Sequence, residues 1–575
     1  MKKILFNFIA FFIVSQAVAQ PTGQSYTLQS LSQYAPNAVQ CTQPNQYRIL
    51  ENLTLLVSDT LVLESSVVSV TVDNGVTLTF NGTLLIEDRN QVLLIQGDSA
   101  QNNYFEMRFE DAPQSILFDV HVQYCSHITL INSDIQFDFC EFDHFSGHVI
   151  SFMNCNPVIQ NCYFHDNQAC AVQSAVNTDG CPKILNNTFY NNVLANANTP
   201  QINLGPGTTD TIKIVGNLIR GVASNMSGGI GIMNISNPNV TKVLLKDNMI
   251  SNNRYGYTQN GCNISAEIYN NDFWYNNLEV NPNNGGSGIS IYGSDTTCAA
   301  KLRHNHITGN LWGVTAIYYH HVDMGTAEDP GYNLLYNNGN NGVEYELYNN
   351  ANSHLDAVGN YWGCDNAEAA EAVIFHQVDN PSYGLVNYQP IYVLEPKISA
   401  FSILTENNPQ IPVSPMEFVG IFSENGDSIF VDMSGFGAFG DNLLPTIVTP
   451  VGVTVTPSVT EFQNFFSPVV YTASTPHLST RDYVVVVNFV CSIPENELTK
   501  INLTPNPVTQ GFFTLENPTE EVLSWQIFTS AGQCVMNGKA QPGMNHIATK
   551  TLKSGLYLVY IQKDNVFVSK KLIVQ

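Results

Sequence analysis

Acidic, basic and aromatic side chains recur at two fixed positions of a short repeated segment, Asn-x-(Phe/Ile/Leu)-x-x-Asn. Counted from the first residue of the segment, the anchor, the third following position holds four candidate catalytic residues: Asp143, His165, Tyr190 and Arg220. The first and third positions together hold five candidate ligand-binding residues: Glu141, Tyr163, Asp272, Trp274 and His306. A carboxylate, an imidazole and a phenol can transfer protons, a guanidinium can hold an anionic sugar, and an indole can stack on a sugar ring. We therefore predict carbohydrate contact along this row, with proton-transfer chemistry as a further role.

The same side chains also have a purely structural interpretation. Outward positions of any repeated strand are polar or aromatic, and aromatic residues often form cross-strand pairs. His320-His321 with Asp323, and His304 with His306, do not supply the three or four converging ligands that a metal needs. We therefore expect no metal and no cofactor, with Ca²⁺ bound only if the protein is a lyase, because that ion needs clustered carboxylates.

The repeated segment predicts the fold. Its anchors recur at intervals of 22 to 34 residues, at positions 140, 162, 187, 217, 248, 271, 305, 333 and 360. One turn of a parallel β-helix fits that interval, whereas a leucine-rich repeat needs a Leu scaffold and a propeller blade needs about 40 residues. The second position after each anchor is always apolar: Phe142, Phe164, Phe189, Ile219, Ile250, Phe273, Ile307, Leu335 and Trp362.

Strand alternation sorts these positions into inside and outside. Successive side chains of a strand point to opposite faces, so the anchor and the second position lie inside, and the first and third lie outside. Coils stacked about 4.8 Å apart would align each position into a column. Asn at the anchors tolerates left-handed turns and can hydrogen-bond along a ladder of identical side chains.

The chain divides into regions by composition and pattern. The solenoid is predicted over residues 20–395, with residues 20–46 as an N-terminal cap and the β-rich runs before residue 140 as its first coils. Residues 396–495 alternate at the spacing of a small β-sandwich, and residues 500–575 form a further small β-sandwich. The predicted fold class is all-β.

The N-terminus predicts export. Lys2-Lys3, an apolar run from Ile4 to Val14, and Ala17-Val18-Ala19 are the three regions of a signal peptide over residues 1–19. The run is too short to span a bilayer, which takes about 20 apolar residues, so we expect no membrane span in the mature chain. Lys and Arg number 22 against 48 Asp and Glu, and the resulting net charge of -26 would repel nucleic acid.

Export would also place the 12 cysteines in an oxidising compartment. Cys155 and Cys181 lie at similar distances before neighbouring anchors, and so do Cys262 and Cys298. Neighbouring coils lie within the Cα separation of a disulfide. We predict Cys155–Cys181 and Cys262–Cys298 as candidate bridges, with stacked unpaired thiols as the alternative.

Four short motifs follow one another between residues 500 and 575: Pro505-Asn506-Pro507, Ala531-Gly532-Gln533, Gly555-Leu556-Tyr557 and Ser569-Lys570-Lys571-Leu572-Ile573-Val574. In that order they resemble the C-terminal sorting domain of type IX secretion substrates of the Bacteroidetes. The resemblance implies the type IX secretion machinery as a partner and passage across the outer membrane. The protein would then be secreted, either released into the extracellular space or attached to the cell surface.

Two further resemblances concern the rest of the chain. The last coil, Val358-Gly359-Asn360-Tyr361-Trp362-Gly363 followed by Val386-Asn387-Tyr388-Gln389-Pro390, is similar to the closing motif of the right-handed parallel β-helix repeat family. Phe439-Gly440-Asp441-Asn442-Leu443-Leu444-Pro445 and Val469-Val470-Tyr471-Thr472 are similar to immunoglobulin-like modules of bacterial surface proteins.

The β-helix family includes pectate lyases, polygalacturonases, alginate-type lyases and noncatalytic adhesins, so the fold does not name the function. Asn177-Thr178-Asp179-Gly180 matches the first polygalacturonase motif, but the paired Asp-Asp, Gly-His-Gly and Arg-Ile-Lys motifs do not follow it. The first hypothesis is a secreted or surface protein that binds carbohydrate or another surface ligand. The alternative is a polysaccharide lyase or glycoside hydrolase acting on an extracellular, uronate-containing polysaccharide.

Overall fold

A computed structural model of the chain describes residues 23–88, 91–98, 104–113, 115–176, 178–207, 210–412, 416–436, 439–489, 497–530, 532–563 and 566–575. The predicted signal peptide lies outside the described residues. Two compact units are distinguished. The first runs to Lys397 and includes residues 449–454 and 473–481, and the second comprises residues 398–448, 455–472 and 482–575.

The first unit is a right-handed parallel β-helix with three long sheets. The sheet that carries the candidate residues, called the site sheet below, has the strands Val39–Gln43, Gln46–Ile49, Ser69–Val72, Leu93–Gly97, Val120–Gln123, Glu141–Asp143, Tyr163–His165, Thr188–Tyr190, Leu218–Arg220, Met249–Ser251, Asp272–Trp274, His306–Thr308 and Leu334–Tyr336. The second sheet has the strands Ser25–Thr27, Thr60–Leu63, Thr83–Ile86, Ile116–Phe118, Gln136–Asp138, Val158–Gln160, Lys183–Leu185, Thr211–Val215, Thr241–Lys246, Ile264–Tyr269, Cys298–Arg303, His321–Asp323, Leu355–Asp356 and Val386–Asn387. The third sheet has the strands Leu53–Leu55, Thr77–Phe80, Phe105–Glu110, Cys125–Ile131, Ile150–Met153, Val172–Ser174, Pro200–Leu204, Gly228–Asn234, Tyr257–Gly261, Ser287–Gly293, Trp312–Tyr318, Leu347–Asn350 and Ile374–Phe375.

Helices are short in the described part of the chain. The helix Leu28–Tyr34 begins at Thr27, whose hydroxyl accepts from the Ser30 amide, and Leu28 and Leu31 are buried in the solenoid core. A second helix, Ala367–Glu371, lies near the last coil. Gly339–Asn340 and Val343–Glu344 form a small antiparallel hairpin. Two 3₁₀ helices, Thr405–Asn407 and Glu497–Lys500, follow later in the chain.

The apolar column predicted from the repeat forms the core. All nine residues at the second position are at most 1% exposed. Phe142, Phe164 and Phe189 stack with ring centroids 4.8 and 4.9 Å apart, which is the spacing between coils. Burial of one large side chain of this kind contributes about 1.5–3 kcal/mol, so the column is a main source of stability.

The anchor asparagines form the predicted ladder inside the solenoid. From Asn187 to Asn360 each side-chain amide donates to the side-chain oxygen of the next anchor at 2.8–3.0 Å. Each of those oxygens also accepts the backbone amide of the preceding anchor, as the Asn271 oxygen does from Asn248 at 3.0 Å. The left-handed conformation falls on the residue before the anchor, for example Asn161 (φ 55°), Asn186 (φ 55°) and Asn270 (φ 54°). The anchor asparagine therefore forms the ladder, and the residue before it adopts the left-handed turn conformation.

A second ladder runs along the asparagines five residues after the anchors. Asn253, Asn276, Asn310 and Asn338 are joined by side-chain hydrogen bonds of 2.8–3.2 Å. One coil has Val222 at this position, and Gln201 from the third sheet bridges the gap. Its amide group accepts from Asn192 at 2.9 Å and donates to Asn253 at 3.0 Å.

The second ladder ends on a buried carboxyl group. The backbone amide of Asn338 donates to Glu346 Oε1 at 3.1 Å, and Glu346 is fully buried. Burial raises the pKa of Glu346 to about 8, against the lowering effect of the Asn338 hydrogen bonds, and the nearby Glu344 raises it further. This carboxyl group is therefore protonated at neutral pH.

In the described part of residues 398–575 the strands form three sheets. One seven-stranded sheet has the order Thr446–Val448, Ala400–Leu404, Glu417–Phe422, Ser428–Asp432, Thr480–Asn488, Val469–Ser474 and Thr454–Thr456. The predicted likeness to an immunoglobulin-like module stays a prediction. The C-terminal domain has a three-stranded sheet of Leu503–Thr504, Phe512–Asn517 and Gly543–Ala548, and a four-stranded sheet of Cys534–Ala540, Leu523–Thr529, Gly555–Lys563 and Val566–Val574.

Replacing one ladder residue tests the ladder. In Asn271→Ala the buried amide of Asn248 loses its acceptor, so we expect the free energy of unfolding to fall by about 1–3 kcal/mol. Urea unfolding followed by circular dichroism measures this change. Asn283→Ala, in an exposed loop, is the control and should be nearly neutral. Equal stability of the two variants would contradict a stabilising ladder.

Glu346 predicts a pH dependence of stability. The folded protein keeps this proton up to about pH 8, whereas the unfolded chain releases it near 4.5, so the contribution of Glu346 to stability is largest below pH 4.5 and falls as the pH rises to about 8. We expect Glu346→Gln to remove this loss, which amounts to about 1.4 kcal/mol per pH unit within the window. The difference between variant and wild type should therefore grow from pH 5 to pH 8 in unfolding experiments. Glu328→Gln, at an exposed position, is the control, and a constant difference for Glu346→Gln would refute the assignment.

Candidate functional site

The site sheet aligns the candidate residues in the predicted columns. Its parallel register pairs Asp143 with His165, His165 with Tyr190, and Tyr190 with Arg220. The neighbouring column pairs Glu141 with Tyr163. Farther along, Asp272 pairs with His306, in the column next to Trp274. Hydrogen bonds and ion pairs join six of these nine residues into two clusters, which leave out Tyr163, Tyr190 and Arg220.

The first cluster, called the histidine–carboxylate cluster, consists of His121, Glu141, Asp143, His144, His165 and Asp166. Asp143 Oδ2 lies 3.0 Å from His121 Nε2 and 3.6 Å from His165 Nε2. Glu141 Oε1 lies 3.0 Å from His165 Nε2. Three imidazoles and three carboxylates thus meet across three adjacent coils.

Two further contacts complete this cluster. Asp166 Oδ2 lies 2.9 Å from His165 Nδ1, and His144 Nδ1 lies 3.0 Å from Asp143 Oδ1. Both His144 and Asp166 follow the site strands directly and have left-handed backbones, with φ values of 53° and 54°. That turn directs them back towards the strands that they follow.

The charges of this cluster compensate one another. Burial alone would raise the pKa of the Asp143 carboxyl group, but His121 and His144 outweigh that effect and the pKa is lowered. Burial opposes the charging of His165, but the hydrogen bonds to Asp166 and Glu141 outweigh it and the pKa of the imidazole is raised. Asp143 is therefore ionised, and protonated His165 is favoured.

The candidates Tyr163, Tyr190 and Arg220 lie next to this cluster or beyond it. Tyr163 is 38% exposed and stacks on His165, with ring centroids 4.2 Å apart. Tyr190 and Arg220 are exposed and lie one and two coils beyond His165. Within the described residues, the structure records no side-chain hydrogen bond or ion pair for Arg220. The row is therefore continuous in register, but Arg220 is not part of the cluster.

Three members of the cluster, His121, His144 and Asp166, were not predicted from the sequence. His121 belongs to a coil that has Val120 at the anchor position, so a search for amide anchors passes over it. The alternating segment Val120–Gln123, placed 20 residues before the next site strand, was the available signal. His144 and Asp166 occupy the fourth position after the anchor, outside both columns.

The second cluster, called the Trp274 cluster, consists of Asp272, Trp274, His306 and Tyr336. Trp274 Nε1 donates to His306 Nδ1 at 3.2 Å, and an indole N–H can only donate, so Nδ1 must accept and Nε2 carries the proton of the neutral ring. His306 Nε2 then donates to Tyr336 Oη at 2.6 Å. Burial raises the pKa of Tyr336 to about 12, so its hydroxyl group remains a donor.

The Trp274 cluster lines a groove together with residues 451–454. Asp247, Asn270 and His304 also line this groove. Asp272 Oδ1 lies 3.4 Å from His306 Nδ1 and keeps its carboxylate beside the indole. Partly exposed rings and polar groups thus share one concave surface.

The predicted disulfides are not formed in the structure, where Cys155, Cys262 and Cys298 are thiols. The register pairs Cys298 with Ile264, two residues beyond Cys262. The asparagine next to Cys155, Asn156, accepts the Cys181 amide at 2.9 Å, so the first pair is offset by one residue. The two bridges stay predictions for the oxidised protein.

The remaining sequence motifs do not add to either cluster. Asn177 of the polygalacturonase-like motif lies outside the described residues. His320 is buried and Nε2 lies 3.2 Å from Asn349 Oδ1, whereas the adjacent His321 is exposed. These two imidazoles therefore face different surroundings.

Comparison with protein families identifies the C-terminal domain. Residues 502–575 match the family described as the secretion system C-terminal sorting domain. The chain is exported by type IX secretion. Its destination is the cell surface or the extracellular space, and in the described residues no helix has the length and hydrophobicity to cross a bilayer.

Other comparisons concern the solenoid. Residues 257–367 match a family described as a protein of unknown function, DUF1565. Two crystal structures of the periplasmic alginate epimerase AlgG, one of a substituted variant and one of the unsubstituted protein, are 12% identical to this chain, with TM-scores of 0.31 and 0.28. The alignments cover 57% of this chain and 83% and 82% of those chains.

A candidate glycoside hydrolase from Bacteroides thetaiotaomicron is 11% identical, with a TM-score of 0.13 over 31% of this chain and 81% of that chain. Scores this low carry no information about activity. A search of curated proteins finds no match.

Proposed function

We propose that this exported β-helix protein binds carbohydrate through the groove at the Trp274 cluster. The observation that supports this proposal is the hydrogen-bonded chain from Trp274 through His306 to Tyr336. It holds a partly exposed indole in one orientation beside a carboxylate and a phenol. Sugar sites need such a combination, because a ring face packs on an aromatic plane while hydroxyl groups hydrogen-bond at its edge.

Preorganisation strengthens the proposal. A surface indole that must be ordered on binding costs about 0.5–1.5 kcal/mol, and the hydrogen bond to His306 removes much of that cost beforehand. Tyr336 supplies a hydroxyl donor and Asp272 supplies a carboxylate acceptor. A donor and an acceptor close to an aromatic platform suit a polyhydroxylated ligand.

Charge favours a neutral glycan over an anionic one. Asp247 and Asp272 both line the groove, and the chain has a net charge of -26. A uronate polymer would be repelled by both carboxylates and by the whole molecule. Neutral polysaccharides such as xylan, mannan or xyloglucan escape this repulsion.

A second function has one specific observation in its favour. The histidine–carboxylate cluster pairs Glu141 with His165 and Asp143 with His121, as acid–base catalysis by a lyase or hydrolase would require. Its electrostatics favour that role less, because glycoside hydrolysis needs a carboxyl group that stays protonated. The pKa of Asp143 is instead lowered.

Binding is tested by affinity electrophoresis of the mature chain in gels that contain xylan, mannan, xyloglucan, alginate or pectate. We expect retardation by a neutral polysaccharide and at least a tenfold weaker affinity for Trp274→Ala, a loss of about 1.4 kcal/mol. Tyr292→Ala, which removes an exposed ring from the third sheet, is the matched control. If Trp274→Ala binds as tightly as Tyr292→Ala, or if no glycan retards the wild type, the proposal is wrong.

The enzymatic alternative is tested by incubation with alginate, pectate and neutral glycans. A lyase generates an unsaturated uronate that absorbs ultraviolet light, and a hydrolase generates new reducing ends. We expect neither product from the wild type. A product that appears with the wild type and is lost in Asp143→Asn, while Trp274→Ala retains it, would establish catalysis at the first cluster.

A further inference from the structure

The histidine–carboxylate cluster has the donor spacing of a metal site. Its successive N···O separations are 3.0 Å from His121 Nε2 to Asp143 Oδ2, 3.6 Å from there to His165 Nε2, and 3.0 Å from there to Glu141 Oε1. Bonds of about 2.0–2.2 Å in a tetrahedral arrangement place neighbouring donors about 3.3–3.6 Å apart. These separations between consecutive donors are close to that value, and binding an ion requires the remaining donors to be drawn together around it.

We propose that His121, Glu141, Asp143 and His165 bind one divalent transition-metal ion of the zinc type. Two imidazole nitrogens with two carboxylate oxygens suit Zn²⁺, Co²⁺ or Ni²⁺, whereas Ca²⁺ takes six to eight oxygen ligands. The sequence led us to expect no metal because the alignment of coils omitted His121. His121, Glu141 and Asp143, on two adjacent strands, bring donor atoms within 4.8 Å of one another. His165 on the third strand lies outside that set but contacts Glu141 and Asp143, so it completes the site by moving towards the other three on binding.

The buried carboxylate is an independent observation. Asp143 is only 5% exposed. Its Oδ2 is shared between His121 and His165, while its Oδ1 is buried and accepts no hydrogen bond of good geometry, although His144 Nδ1 lies 3.0 Å away. A buried ionised carboxylate needs a cation beside it, and in the metal-free protein the neighbouring imidazoles fill that role. A metal bound at Oδ2 supplies that compensation directly.

Asp166 orients one ligand. Its Oδ2 lies 2.9 Å from His165 Nδ1, and a carboxylate can only accept here, so Nδ1 carries a hydrogen. That contact turns Nε2 towards Glu141 and Asp143. Metal-ligating histidines characteristically donate their other N–H to a carboxylate, which fixes the ring and strengthens the ligand. Asp166 is therefore a positioning residue in this site.

Charge balance is satisfied when the ion binds. Nε2 of His165 faces two carboxylates, so in the metal-free protein it holds a proton, and the ion takes the place of that proton, which leaves to solvent. His121 Nε2 lies 3.0 Å from Asp143 Oδ2 and carries a hydrogen there, so this ring binds the ion as its other neutral tautomer, with the hydrogen on Nδ1. The two carboxylate ligands neutralise the divalent charge. The site is five coils from the Trp274 cluster, about 24 Å along the solenoid, so metal binding and glycan binding can be tested separately.

The test uses the mature full-length chain after treatment with EDTA and removal of the chelator. Titration with ZnSO₄ in a calorimeter should show one equivalent of tight binding, and CoCl₂ should give the visible absorption bands of a tetrahedral Co²⁺ site. His121→Gln, Glu141→Gln and His165→Gln should each weaken Zn²⁺ binding at least a hundredfold. Asp166→Asn should weaken it about 10- to 100-fold.

The control is His321→Gln, an exposed histidine on the second sheet that should leave the affinity unchanged. Circular dichroism establishes that each variant is folded, and because Glu141 is partly exposed its variant tests the site if a buried one fails to fold. The proposal is overturned if the wild type binds neither Zn²⁺ nor Co²⁺, or if the ligand variants bind as tightly as His321→Gln.

Discussion

Hydrogen bonds between the amides of stacked asparagines are the interaction on which this solenoid depends. A buried amide must find a donor and an acceptor, and each anchor finds both only when the next coil lies in strict register. The ladder therefore fixes the alignment of the coils from Asn187 to Asn360, while the loops absorb turns of 23 to 34 residues. Because the register is set inside, every outward column of the site sheet is aligned as well.

This constraint explains how functional groups assemble on a surface without a deep pocket. An outward side chain has only its neighbours along the strand and in the coils on either side, so a cluster forms where adjacent coils carry complementary groups. The histidine–carboxylate cluster spans three such coils. The Trp274 cluster likewise uses three, with His306 between Trp274 and Tyr336.

The sequence predicted what the repeated segment determines and missed what lies outside it. The anchors were sufficient to predict the buried column and the pairing of Asp143 with His165 and of Asp272 with His306. His121 was missed because a valine replaces the amide in its coil, so no ladder residue marks it. Gln201 was not predicted, because it lies on a strand of the third sheet and joins the ladder from there. The offset of the cysteine pairs has a related origin, since distances counted back from an anchor cross loops of unequal length.

The two clusters differ in what their electrostatics allow. Acid–base catalysis needs a group that gains and loses a proton near the working pH. In the histidine–carboxylate cluster the pKa of Asp143 is lowered and that of His165 is raised, so the two groups are driven towards opposite, complementary charges. Such a set of fixed charges is better arranged to hold a cation than to pass a proton to a sugar.

The Trp274 cluster has a neutral imidazole between an indole and a phenol, and its interactions with a ligand would be stacking and hydrogen bonding. Placed far apart on one rigid face, the two clusters fit separate binding roles better than the shared roles of one catalytic centre.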